Sequence, residues 1–280
     1  MEKAIKRYFP IFVLPTMIAF TLGFIIPFVE GVYLSFCKFT TVNDAKFVGF
    51  ANYAKVFTDE TFVHAFWYTA AFTVVSVILI NVLAFAVALL LTKGFKGTNI
   101  FRTVFFMPNL IGGIVLGYIW QLLLNGILMN FSRTLTYSST YGFWGLIILM
   151  CWQQIGYMMI IYIAGIQNIS GDLIEAAKID GANARQILRN VTIPMVMPSI
   201  TICTFLTLTN SFKLFDQNLA LTNGEPSKMS EMLALNIYNT FYGRTGWEGV
   251  GQAKAVVFFI LVAIIALAQN KITRRKEVQQ

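Results

Sequence analysis

Six stretches of the chain are apolar for long enough to cross a lipid bilayer. A helix needs about 20 apolar residues to span about 30 Å of hydrocarbon. Runs of that kind cover roughly Phe9–Phe36, Phe62–Leu91, Thr103–Leu124, Gly142–Ile166, Val191–Phe215 and Gly251–Ala268. The second is long enough to tilt or to project beyond the bilayer, and Pro108 breaks the early part of the third. Lys3, Lys6 and Arg7 precede the first run as they would in a signal peptide. No small-x-small cleavage site follows at the usual distance, so the run is expected to stay as the first helix. The pattern predicts an all-α membrane protein of six transmembrane helices, a single domain over residues 1–280. In the connections, Val48-Gly49-Phe50 and Asn52-Tyr53 suggest a short structured segment within 39–60. Asn223-Gly224 and Glu225-Pro226 mark turns, with a short surface helix expected over Met229–Phe241.

Composition supports the class. Apolar residues make up 57% of the chain and charged residues 12%, about half the charge of a soluble domain. A net charge of +8 would suggest nucleic acid in a soluble protein. Here the cations lie between apolar runs, with no aromatic-interleaved patch, which points to membrane topology and to no nucleic-acid partner. Six spans put both termini on one side. That side holds Lys3, Lys6 and Arg7, then Lys93, Lys96 and Arg102, then Lys178, Arg185 and Arg189, and finally Lys271, Arg274, Arg275 and Lys276. Its acids are Glu2, Asp172, Glu175, Asp180 and Glu277, so the whole positive excess lies there. By the positive-inside tendency both termini are cytoplasmic.

Polar groups within spans are costly in lipid and turn toward an interior cavity. Asn109 follows the Pro108 break. Gln153, Gln154 and Tyr157 lie in the fourth span, and Asn210 and Ser211 in the fifth. Amides beside an aromatic face suit a neutral polyhydroxylated ligand, and they suit interhelical hydrogen bonds equally. Lys213 and Asp216, near the outer end of the fifth span, are expected to pair with each other or with another subunit, with a gate as the functional reading. The single histidine, His64, reads as interfacial. Cys37, Cys151 and Cys203 are odd in number and match no metal spacing, so they read as packing residues. No metal site, catalytic set or P-loop pattern is present. Glu30 is the main carboxylate that an autonomous ion-coupled carrier could use.

The stretch from Ile169 to Pro198 predicts two short cytoplasmic helices. Asp172 and Glu175 have capping-box spacing, Gly181 fits a left-handed helix stop, and Asn183 with Gln186 repeats the cap before Pro194. On physics alone this could be an amphipathic helix resting on headgroups. The spacing is more specific than that: Glu175-Ala176-Ala177, Gly181 four positions after the last alanine, and Val191-x-Ile193-Pro194. It resembles the loop motif of ABC importer permeases, with Val191 and Ile193 in place of the usual Ile and Leu. Phe101-Arg102, Phe105-Phe106-Met107-Pro108, Trp120, Gly126, Val48–Tyr53 and Leu221–Pro226 are similar to segments of the maltose and multiple-sugar subfamily, Glu225 replacing a glycine.

The resemblance implies a type I ABC importer permease fold in a prokaryotic plasma (inner) membrane. It implies a second permease subunit, usually a different chain, and two ATPase subunits that bind ATP and Mg, this chain holding no cofactor. An extracytoplasmic solute-binding protein would deliver a sugar. Residues 167–194 would form the coupling loop, with Glu175, Ala176, Ala177, Asp180, Gly181 and Pro194 docking on an ATPase subunit. A permease for another small solute, or an autonomous secondary transporter, is the alternative.

Overall fold

The computed structural model describes residues 2–94 and 96–274. Arg275, Lys276 and Glu277 of the charged tail lie outside the described residues, as do the side chains of Lys3, Lys6 and Arg7. Residues 2–60 and 237–260 form one compact unit, and 61–236 with 261–274 form the other.

In the first unit, α1 (Glu2–Phe20) passes through a π turn at Thr21–Ile25 into α2 (Ile26–Leu34). The window Ile11–Leu34 is long and apolar, and none of it is buried. A hairpin follows: β1 (Cys37–Lys38) pairs antiparallel with β2 (Lys46–Phe47), Cys37 opposite Phe47. Then comes α3 (Ala51–Thr58). Asn52 is buried and donates to the carbonyls of Ser35 (2.9 Å) and Cys37 (2.8 Å), tying α3 to the hairpin. This is the structured segment expected within 39–60. In the hairpin turn the Asp44 carboxylate accepts from the backbone N–H of Thr40 (2.9 Å) and Thr41 (3.0 Å). These donors, Thr40 first, hold its carboxyl below the usual carboxylate range. An acid depressed in this way stabilises fully above its unfolded value and loses that contribution as pH falls through its folded value. Amide exchange at Thr40 and Thr41 is therefore expected to accelerate only below about pH 4.

In the second unit, α4 (Glu60–Leu91) is a single helix of 32 residues, about 48 Å long, matching the expected long second span. Next, α5 (Thr98–Phe106) leads into a 3-10 turn at Met107–Leu110. The chain then turns by 102° into α6 (Gly113–Met129). Ile111 and Gly112, both extended, make the corner. The helix α7 (Ser139–Gln167) is the most buried of the long helices, with Leu146, Leu149, Met150, Met158 and Tyr162 in the core. Gly156 lets α5 approach it backbone to backbone, since a Cβ there would collide with the carbonyl of Phe105. Two short helices follow, α8 (Gly171–Ile179) and α9 (Ala184–Ile187). A π turn at Leu188–Thr192 leads to α10 (Ile193–Met195). A 68° bend then opens α11 (Met197–Phe212), and α12 (Asp216–Leu221) closes the run. Among the described residues, four helices are thus long and apolar enough to cross a membrane, or up to six if each bent pair is one span.

A helix is present in this stretch as α13 (Leu233–Gly243), starting four residues later than expected, and Leu233, Leu235, Asn236 and Thr240 on it are buried. Last comes α14 (Glu248–Arg274). In the first unit, Lys254 of α14 is fully buried. Its Nζ donates to Asp59 Oδ2 and to Thr240 Oγ1, both at 2.7 Å, and Arg244 Nη1 lies 3.5 Å from the same carboxylate oxygen. In the second unit His64 Nε2 lies 2.9 Å from the carbonyl of Met229.

Candidate functional site

A cavity of about 470 Å³ opens in the second unit beside the corner between α5 and α6. Asn109 enters its wall from the 3-10 turn, Gln153 and Gln154 from α7, and Asn210 from α11, with Lys213, Asp216 and Gln217 completing the polar lining. Four of the six intramembrane residues singled out in the sequence therefore meet in one place. The other two do not. Tyr157 packs its ring 6.4 Å from that of Phe106. Ser211 is fully buried, its hydroxyl without a partner. Gln217 was missed because it follows the apolar run, in a helix too short to show a period.

The amides differ in how they are engaged. Gln217 Nε2 donates to Gln153 Oε1 at 2.8 Å, and Gln153 Nε2 donates to the carbonyl of Ile111 at 3.3 Å. Gln153 is thereby committed at both ends, and it caps a backbone acceptor that the corner leaves out of helix. Gln154, at 8% exposed, has a buried Oε1 with no partner. An unmet buried acceptor costs about 1–3 kcal/mol, which a hydroxyl-bearing ligand would recover. Among the described residues Lys213 and Asp216 form no ion pair, so the expected internal pairing is not present. Both charges line the cavity, one of each sign. Asp216 sits in the first turn of α12, where the helix terminus favours an anion.

A polar cluster that the sequence reading passed over lies elsewhere in this unit. Tyr162 OH donates to Asn81 Oδ1 at 2.7 Å, and Asn81 Nδ2 donates to Thr207 Oγ1 at 3.3 Å. These bonds join α4, α7 and α11 and leave no free amide for a ligand.

The other candidate element is α8 with its flanks. Its N-cap is Ser170, whose hydroxyl accepts from Asp172 N–H at 3.3 Å. This corrects the expected Asp172–Glu175 box: Asp172 lies inside the first turn, and Glu175 is exposed with no hydrogen bond among the described residues. The C-terminal end is as expected. Gly181 has φ +80°. Its N–H donates to Lys178 O (3.0 Å) and that of Ala182 to Ala177 O (2.9 Å), the paired bonds of a Schellman stop. Asn183 and Gln186 form the second capping box, with bonds of 3.0 and 2.7 Å. Asn183→Ala is expected to cost about 1 kcal/mol of local helix stability, measurable as faster amide exchange at Arg185 and Gln186. No residue of α8 is buried. Ile179 is 86% exposed and Leu173 45%, and nothing lies within 4 Å of a Cβ built on Gly181. Pro194 falls in the first turn of α10 and is half-buried. Glu175, Ala176, Asp180 and Gly181 thus present a rigid, doubly terminated helix to the outside of the unit.

Residues 80–278 match the sequence family described as binding-protein-dependent transport system inner membrane component. The chain is 42% identical, over 96% of its length and 94% of the relative's, to the probable starch degradation products transport system permease protein of Thermoanaerobacterium thermosulfurigenes. It is 28% identical, over 99% of both chains, to the multiple sugar-binding transport system permease protein of Streptococcus mutans. In fold it matches a chain of a bacterial ABC transporter involved in the import of the acidic polysaccharide alginate, with a TM-score of 0.82, 21% identity and 98% of each chain covered.

Proposed function

The chain belongs to the family of inner membrane components of binding-protein-dependent transport systems, and from that premise we propose that it is the permease subunit of an ATP-driven importer of a neutral oligosaccharide. It performs no covalent chemistry. Two ATPase subunits bind and hydrolyse ATP, an extracytoplasmic binding protein delivers the solute, and a second permease subunit completes the pathway. The chain crosses the membrane six times, the bent pairs serving as the third and fifth spans. Both termini and residues 167–194 lie in the cytoplasm, as the distribution of Lys and Arg supports.

The observation that carries the solute reading is the amide-lined cavity, with one cation, one anion and the unmet acceptor of Gln154. A balanced pair of charges and a row of amides offer donors and acceptors to hydroxyls without selecting a net charge. The α8 segment supplies the drive. It is stiff and exposed, and ends in a left-handed glycine. A partner that grips it can move it as one body, biasing the spans between inward-open and outward-open states.

The cavity is tested by Gln154→Leu in the reconstituted importer. Uptake of a labelled malto-oligosaccharide is expected to fall about tenfold, the equivalent of one lost hydrogen bond of 1.4 kcal/mol. Thermal stability and assembly with the ATPase should stay within the wild-type range. Unchanged uptake would remove the cavity from the pathway.

A further inference from the structure

A second cavity, of about 340 Å³, lies between α5 and α7 and shares no residue with the solute cavity. Arg102, Thr103 and Phe106 line it from α5, and Ile160, Ile163, Ala164 and Gln167 from α7. We propose that this groove seats one anionic phospholipid, its phosphodiester on Arg102 and an acyl chain along Phe106, Ile160 and Ile163. The inference rests on the membrane reading above and is independent of which solute is carried.

The lining joins a cation to an apolar wall. Gly156 of α7 lies against Phe105 of α5. From there α7 runs about 16 Å to Gln167, while α5 runs back about 4.5 Å to Arg102. The groove thus sets one guanidinium against an apolar floor of Phe106, Ile160, Ile163 and Ala164, while the Thr103 hydroxyl already donates to the carbonyl of Asn99 at 3.0 Å. A free anion would leave that apolar floor uncovered, and an uncharged apolar chain would leave the guanidinium unmet. A phospholipid satisfies both.

The charge of Arg102 is unspent. Arg102 makes no ion pair or hydrogen bond among the described residues, and its Nε is buried without a partner. A buried donor of this kind costs about 1–3 kcal/mol until it is met. The planar fork of Arg suits two phosphate oxygens. Lys93 and Lys96, shortly before α5, add positive field at the same membrane face. On the assigned orientation that face is the cytoplasmic leaflet, where anionic lipid contributes about 1 kcal/mol per cation near the surface.

The test uses the assembled importer, permeases with ATPase subunits, in nanodiscs of phosphatidylcholine mixed with phosphatidylglycerol. Lipid retained after detergent exchange is counted by native mass spectrometry. Wild type is expected to keep phosphatidylglycerol about fivefold over phosphatidylcholine. Arg102→Gln should abolish that preference, Arg102→Lys should keep part of it, and Ala164→Trp, which fills the groove, should expel the lipid with the charge intact. Inorganic phosphate at millimolar concentration should not compete. Undiminished preference in Arg102→Gln, or displacement by phosphate, would overturn the proposal. So would a high-yield crosslink from Ala164→Cys to a neighbouring subunit, because the groove would then be covered by protein. Since the readout is retained lipid and not uptake, a failed Gln154→Leu test of the solute cavity leaves this result unaffected.

Discussion

Lys254→Met should lower the stability of the solubilised protein by about 3–5 kcal/mol, the cost of stranding one member of a buried ion pair. Lys254 has no exposed surface, and its ammonium lies 2.7 Å from Asp59 and from Thr240. Methionine keeps the side chain out to Cε and removes the ammonium, so most of the packing is retained and the effect falls on the ion pair and the bond to Thr240. Asp59 would then lose the cation 2.7 Å away, with Arg244 farther off at 3.5 Å. The double change Lys254→Met with Asp59→Leu should recover most of the loss, because two apolar groups replace two charges. A melting temperature unmoved by the single change would mean that the pair does not hold α14 to the junction of α3 and α4.

The second large effect is expected at Gly181. With φ at +80° and open space around it, the residue is constrained by its backbone angle and not by crowding. Gly181→Val asks a β-branched residue to adopt a left-handed conformation, at a cost of about 1–2 kcal/mol. The Schellman bonds from Gly181 and Ala182 would open, and the end of α8 would lose its fixed shape. Affinity for the ATPase subunit should fall roughly five- to thirtyfold, the equivalent of that energy. Transport should fall with it, while the isolated permease melts near its wild-type temperature. Normal assembly and normal coupled turnover in this variant would remove α8 as the point of grip.

Much of this architecture was legible from apolar length alone, since a bilayer sets the length of whatever crosses it. The corners were not. Pro108 marked a break in the third span, and Gly112-Gly113 is a turn dipeptide, but neither states the size of the 102° turn, because breakers and periodicity report interruption and burial and not direction. The cap of α8 was misplaced for a related reason: Ser170 and Asp172 both suit the N-cap, and local sequence does not rank them. At the cavity, Asn109, Gln153, Gln154 and Asn210 could be found as polar interruptions of apolar helices. Ser211 follows Asn210 immediately, yet one residue is about 100° of rotation on a helix, enough to move it from the wall into the packed interior. Gln217 lay beyond the apolar signal. The pairing of Lys254 with Asp59 joins positions 195 apart in the chain, a separation at which a single sequence carries no information about proximity.

The corner after Leu110 has a consequence for how mutations in this region behave. Hydrocarbon offers nothing to a peptide carbonyl, so any kink there must bring its own donor. The chain brings the side chain of Gln153, held in aim by Gln217. Gln153 is thus a strut before it is a recognition group. Shortening it to alanine would first let the elbow slacken, and transport would be lost for every solute alike. At Gln154, whose acceptor is uncommitted, the loss would fall only on solutes that place a hydroxyl against it.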